Sequence, residues 1–278
     1  MSGLKSVAAH IDYYRATWKE GYYPDDKLGN LNRCIRQTIL AIGGPREEAR
    51  RATIQGYYGG ITQGMFIGTR SDGILLQASG VAADTLAQLA YDPTGIPRLD
   101  IAVTVWATAT PSVCIQEAAR QALEFRSKRG GRPSKVRLIN GYGDGDTLYV
   151  GARGKNSSML RIYDKGAESK EEIYEGATRY EVELSDTHAR QGYEAVREAG
   201  YGHGACLAVA MSYFAVKGVR IPVPPGTPII EAWSLPKAQS NLEGRLKWLR
   251  ESVAPALDLL REAGYSEHNI AAVLGLEV

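Results

Sequence analysis

Six stretches of the chain alternate apolar and polar positions with a period of two. They are 64–70 (GMFIGTR), 73–80 (GILLQASG), 98–107 (RLDIAVTVWA), 147–153 (TLYVGAR), 159–165 (MLRIYDK) and 178–186 (TRYEVELSD). Successive side chains of a strand point to opposite faces, so each stretch predicts a half-buried strand. Turns rich in glycine and aspartate separate them, notably 71–73 (SDG) and 141–146 (GYGDGD). Helical spacing predicts helices over 28–42, 81–91 and 112–127, and over 187–217 with glycine interruptions. The mixture predicts an α+β fold, a central, mostly antiparallel sheet with helices packed on it. The proline-dense segment 219–228 cannot lie inside a helix. It divides a main domain (1–218) from a C-terminal helical segment (231–278), with 219–230 as linker. In that segment Leu246, Leu249, Val253, Leu257 and Leu260 form a helical stripe. Residues 260–275 look like the front of a helix-turn-helix, but only three residues follow Gly275, so a packed helical cap is expected.

The polar faces of three strands hold the chemistry. In 98–107, Arg98, Asp100, Ala102 and Thr104 lie opposite Leu99, Ile101, Val103 and Val105. In 178–186, Arg179, Glu181 and Glu183 lie opposite Tyr180, Val182 and Leu184. In 159–165, Tyr163 stands between Arg161 and Lys165 on one face, with Leu160 and Ile162 on the other. Taken singly, each has a plain reading as a surface ion pair, a solvated acidic face or a tyrosine at a sheet edge. Brought together, Asp100, Glu181 and Glu183 would make an oxygen-only site for a hard cation such as Mg²⁺ or Mn²⁺. Tyrosine can act as a covalent nucleophile, but its ordinary pKa near 10 leaves about one phenol in a thousand ionised at pH 7. Arg161, Lys165 and a divalent cation are expected to lower that pKa.

Composition narrows the alternatives. An apolar share of 44% and a charged share of 23% are those of a soluble globular protein. The net charge is only +2, so nucleic-acid binding must come from local clusters. One such cluster is 126–137, where Arg126, Lys128, Arg129, Arg132, Lys135 and Arg137 occur without an acid; Arg153 and Lys155 follow in a glycine- and serine-rich loop. These suit contacts to a phosphate backbone, although a basic loop is more often only solvated. Cys34, Cys114 and Cys206 have neither metal-ligand nor disulfide spacing, which fits a reducing cytoplasm. No hydrophobic stretch resembles a signal peptide or reaches bilayer length. His10, His188, His203 and His268 are isolated, which argues against a zinc site or a Ser-His-Asp hydrolase. There is no Walker or dinucleotide-binding motif.

In this order, the elements resemble the Rep-trans family of rolling-circle replication initiators of small plasmids and filamentous phages. That family is related to conjugative relaxases and to HUH-like tyrosine endonucleases. The resemblance covers most of the chain. Its elements are IDYYRATW (11–18), GILLQASG, PRLDIAVTVW (97–106), TLYVGARGKNSSMLRIYDKGAES (147–169), TRYEVELSD and the C-terminal helices from LKWLRESVAPALDLL onward. It implies that Tyr163 attacks an origin phosphodiester and forms a 5′-phosphotyrosyl link that can be religated or transferred. It also implies that Asp100 and Glu181, with Glu183 behind them, hold Mg²⁺ or Mn²⁺, and that Arg161, Lys165 and Arg179 position the scissile phosphate. Single-stranded or hairpin DNA, a homodimer, a UvrD-like helicase and a bacterial cytoplasm come with it as expectations. A conjugative relaxase or a non-catalytic origin-binding protein are the alternatives, and the compact length favours replication. Two places depart from the family: Val103–Val105 where relatives carry a further acid, which implies a thinner metal shell or one completed by Asp12 or a histidine, and Gln77 where glutamate is common.

Overall fold

The computed structural model describes residues 4–19, 50–62, 64–88, 92–125, 134–141 and 145–223, with a few positions between 257 and 266. The chain divides into two compact units, Met1–Ser234 and Leu235–Val278. The expected helix at 28–42, residues 224–230 of the linker and most of the helical cap lie outside the described residues.

The first unit is built on a ten-stranded antiparallel sheet. In chain order the strands are β1 (Leu4–Lys19), β2 (Arg50–Ile54), β3 (Tyr57–Thr62), β4 (Met65–Arg70), β5 (Gly73–Ser79), β6 (Gly95–Ala107), β7 (Val136–Ile139), β8 (Thr147–Val150), β9 (Ser158–Asp164) and β10 (Ala177–Ser185). Their order across the sheet is β2-β3-β4-β5-β1-β6-β10-β9-β8-β7. The helices are α1 (Val81–Ala87), α2 (Pro111–Glu124), α3 (Lys165–Ser169), α4 (Thr187–Glu198) and α5 (Gly202–Ala215), with a 3₁₀ turn at Glu172–Tyr174. The expected α+β architecture is thus the observed one, and the long helical stretch at 187–217 is two helices broken at Gly200–Tyr201, where both residues have positive φ.

The apolar sides of the alternating strands make the core. Leu99, Ile101, Val103, Val105, Leu160, Ile162, Val182 and Leu184 are wholly buried beneath α2, α4 and α5. Each such side chain stabilises the fold by about 1.5–3 kcal/mol relative to exposure. Gly192 lets α4 lie close to the sheet, because a Cβ there would come within 2.7 Å of Leu184 Cδ1. The opposite sides of the same strands are left free for polar residues.

Sequence periodicity missed β1, the strand at the centre of the sheet. Ala9 and Ile11 are buried, and so are Tyr14, Ala16 and Trp18, so the period of two slips by one position between them. The slip is a β-bulge: the register with β6 shifts between Ile11 and Tyr13, leaving Asp12 as the extra residue. β2, β3 and β7 were missed too; they are short, and their exposed positions give little alternation.

A candidate active site on the polar face of the sheet

Register brings the polar residues of four strands into rows. Tyr13 of β1 lies opposite Asp100 of β6, which lies opposite Glu183 of β10. The next row runs His10, Ala102, Glu181, Arg161. The third runs Ala8, Thr104, Arg179, Tyr163. Directly paired residues of antiparallel strands share a face, so these side chains converge. Ala102 is fully buried and forms the floor between His10 on one side and Glu181 on the other.

Tyr163 donates its hydroxyl hydrogen to Glu181 Oε2 at 3.3 Å. Arg161 Nη2 donates to the same oxygen at 2.7 Å, and its guanidinium lies 4.5 Å from the Tyr163 ring centre. Arg161 Nε is buried and has no acceptor among the described residues. Lys165 departs from the expectation that it shares a strand face with Arg161 and Tyr163. β9 ends at Asp164, whose carboxylate caps α3 through the Ala167 amide at 2.9 Å. Lys165 therefore opens a helix, pairs with Glu168 at 2.5 Å and lies 5.3 Å from the Tyr174 ring centre.

The carboxylates expected to hold a metal are brought together, but each also meets a guanidinium. Arg98 grips Asp100 in a fork (2.9 and 2.5 Å) and reaches Glu183 at 2.9 Å. Arg153 forks onto Glu183 at 2.9–3.1 Å, so it sits beside the site on the loop after β8. Among the described residues no group of three His, Cys, Asp or Glu side chains is gathered tightly enough to hold a metal ion. The donors fit a hard divalent cation in kind: all are carboxylate oxygens, and Asp100 stands directly opposite Glu183. Arg98 and Arg153 are 31% and 64% exposed, so both can turn away from the carboxylates.

Electrostatics correct one expectation. The Tyr163 phenol is raised, not lowered: burial dominates and Glu181 adds to it, against the smaller pull of Arg161 and Arg179. The sequence shows the flanking cations but not the burial. Asp100, 2% exposed, is pushed up to about 7 by burial, with Glu181 and Glu183 adding to the shift against the pull of Arg98. A carboxyl with a raised folded value binds its proton more tightly in the folded state. Its stabilising contribution is complete below the unfolded value of 3.8 and is lost as pH rises through about 7. Thermal unfolding between pH 5 and pH 8 should thus decline more steeply in the wild type than in Asp100→Asn. Equal slopes would remove Asp100 as the cause.

Asp12 and His10 join the site; the sequence offers Asp12 only as a completion of the metal shell. Asp12, aimed by the bulge, accepts from Arg179 Nη1 at 3.1 Å and lies 3.3 Å from His10 Nε2. Arg179 also donates to Thr104 Oγ1 at 3.1 Å and is 3% exposed, so its guanidinium is held within the site. An apolar-polar period could not reveal Asp12, because the bulge breaks that period at this residue. Of the basic positions, Lys135 and Arg137 are exposed at and before β7, and Lys155 is exposed beside Arg153. Arg126, Lys128, Arg129 and Arg132 lie outside the described residues. Among the described residues, no helix is long and apolar enough to cross a membrane.

Residues 94–211 match the Rep_trans family, described as replication initiation factor. That range runs from the start of β6 into α5 and includes Asp100, Tyr163 and Glu181, but not His10 or Asp12. No curated protein sequence matches the chain. The fold is similar to that of a rolling circle replication initiator protein from Geobacillus stearothermophilus, with a TM-score of 0.54 at 18% identity, covering 84% of this chain and 93% of the other. Over residues 94–211 the chain is similar to the replication initiation factors, and its fold is similar to that of a rolling circle replication initiator.

Proposed function

We propose that this protein starts rolling-circle replication by nicking one strand of origin DNA through Tyr163. The phenolic oxygen attacks phosphorus, a 5′-phosphotyrosyl link forms, and the 3′-oxygen leaves as a hydroxyl. Because bond energy is kept in the link, the same site can religate or transfer the strand. The observation that carries this reading is the Tyr163 hydroxyl bonded to Glu181 beside the Arg161 guanidinium, on a face where Asp100 and Glu183 also meet.

Glu181 Oε2 accepts the phenol's hydrogen bond, so an acceptor for its proton is in place before attack. Arg161 Nε, a buried donor without an acceptor among the described residues, is suited to a phosphoryl oxygen. Arg179 supports the phenolate from the neighbouring strand. Asp100, Glu181 and Glu183 would hold Mg²⁺ or Mn²⁺, which supplies charge stabilisation at the phosphoryl oxygen. Arg98 and Arg153 release those carboxylates by turning toward the DNA backbone. Lys135, Arg137 and Lys155, with the basic residues at 126–132, extend the backbone contacts. An unpaired strand or an extruded hairpin is the reacting form, because in-line alignment with a phenol on a sheet face is poorly met by a duplex phosphate. A second copy of the chain and a UvrD-like helicase are the partners this reading carries.

Labelled single-stranded and hairpin origin DNA incubated with Mn²⁺ should yield a covalent protein–DNA adduct. Asp100→Ala should lose the adduct while keeping most of the DNA affinity, and chelation should do the same. One observation favours a second reading, an origin-binding module without nuclease activity: guanidinium groups already neutralise Asp100, Glu181 and Glu183. Tight, metal-independent binding with no adduct would select it.

A further inference from the structure

His10 shares the sheet face and the row of Glu181, one row from Tyr163, on the far side of the floor of the site. It lies on β1 directly opposite Ala102, which lies directly opposite Glu181. Ala102 carries only a methyl group, so nothing on β6 rises between the two in that row. An in-line displacement places the entering and leaving oxygens on opposite sides of phosphorus. If the phenol enters from the β9–β10 side, the leaving oxygen emerges toward β1. Two strand spacings, roughly 10 Å, separate β10 from β1. The Arg179 guanidinium crosses from β10 to Asp12 in the neighbouring row, so a phosphoryl group placed between the phenol and His10 would lie against that cation.

The ring is also held. His10 Nε2 lies 3.3 Å from Asp12 Oδ1, and Asp12 is fixed by Arg179 Nη1 at 3.1 Å. Burial pushes the Asp12 carboxyl up, but the bond from His10 and the charges of Arg179 and Lys165 outweigh it, so Asp12 stays a carboxylate. With Nε2–H directed at Asp12, Nδ1 is the nitrogen left to face a substrate. The ring is 31% exposed, which leaves it accessible. Its charged contact is Asp12, which is itself flanked by Arg179 and Lys165, and Glu181 lies two strands away in the same row.

We infer that His10 is the general acid for the leaving 3′-oxygen, with Asp12 as the positioning residue that orients its ring. This rests on the phosphotyrosyl reading above. As the bond from the phenolic oxygen to phosphorus forms and the bond from phosphorus to the 3′-oxygen breaks, the phenol gives its proton to Glu181 or water. The 3′-oxygen takes its proton from His10. In religation the 3′-hydroxyl returns that proton to His10 as it attacks.

A sulfur leaving group departs without being protonated, and that separates this role from others. Single-turnover nicking is measured with two oligonucleotides of the same sequence, one normal and one with a 3′-bridging phosphorothiolate at the nick. His10→Gln and His10→Asn should slow the normal substrate on the order of 10²–10³-fold. Both should cleave the sulfur substrate within a few-fold of wild type, with DNA affinity kept. Asp12→Asn should show the same pattern with a smaller loss. Full activity on the normal substrate, or equal loss on both substrates, overturns the assignment. Loss of DNA affinity in both His10 variants overturns it as well, since His10 would then be a binding or structural residue. Absence of a wild-type adduct on either substrate is a distinct outcome that brings down the phosphotyrosyl reading and this assignment with it.

Discussion

Tyr163→Phe is expected to abolish the covalent DNA adduct, a loss of at least about 10⁴-fold, while leaving the fold nearly intact. The ring of Tyr163 is 5% exposed and packs beneath the Arg161 guanidinium, and phenylalanine keeps both arrangements. Only the hydroxyl is lost, with its bond to Glu181 at 3.3 Å and the long one it accepts from Arg161 Nη2 at 3.5 Å, a cost of about 1 kcal/mol. The other phenols at the site stand differently: Tyr13 is in another row, with its ring against Arg98 and its hydroxyl accepting from Arg15, and Tyr149 of β8 lies directly opposite Arg161, one strand farther from Glu181. Thermal unfolding and single-strand affinity should therefore change little while the adduct disappears. An adduct that survives in Tyr163→Phe would assign the nucleophile elsewhere.

Arg179→Ala should show the reverse emphasis, a large loss of stability. Its guanidinium is 3% exposed and ties Thr104 of β6 to Asp12 of the β1 bulge. Removing it leaves the Asp12 carboxylate facing a cavity without its cation, at a cost of about 3 kcal/mol, the lower end for breaking a buried pair because Asp12 keeps 25% exposure. Arg179→Lys should recover only part, since one ammonium does not reproduce a fork directed at two acceptors. In urea the midpoint should fall with an unchanged slope. A midpoint that does not move would mean that Arg179 is not the tie between these strands. In a double-mutant cycle with Asp12→Asn, the two losses should fall short of additivity.

Much of the sheet was legible because its strands announce themselves locally. In 98–107, 159–165 and 178–186 the alternation assigns Leu99, Ile162 and Val182 to one side and Asp100, Tyr163 and Glu181 to the other, and burial follows that division for the apolar set. The site was legible to the same extent: three polar faces, each with its acids and bases named. Lys165 was misplaced because Asp164 is both the last residue of a strand and the cap of a helix, and alternation carries no signal for that change. His10 was passed over because a lone histidine has no spacing to read. It gains a partner only through the Asp12 bulge.

What the amino-acid order determined by itself is the inward or outward direction of each side chain along a strand, a property of two adjacent peptide units. Only the tertiary structure decided which rows those side chains form. Asp100 and Glu183 are remote in sequence, and the pairing of β6 with β10 puts them side by side. It also decided the direction of the Tyr163 shift. A charge two residues away is visible in a sequence, whereas desolvation depends on everything packed around the group, and here burial outweighs the cations.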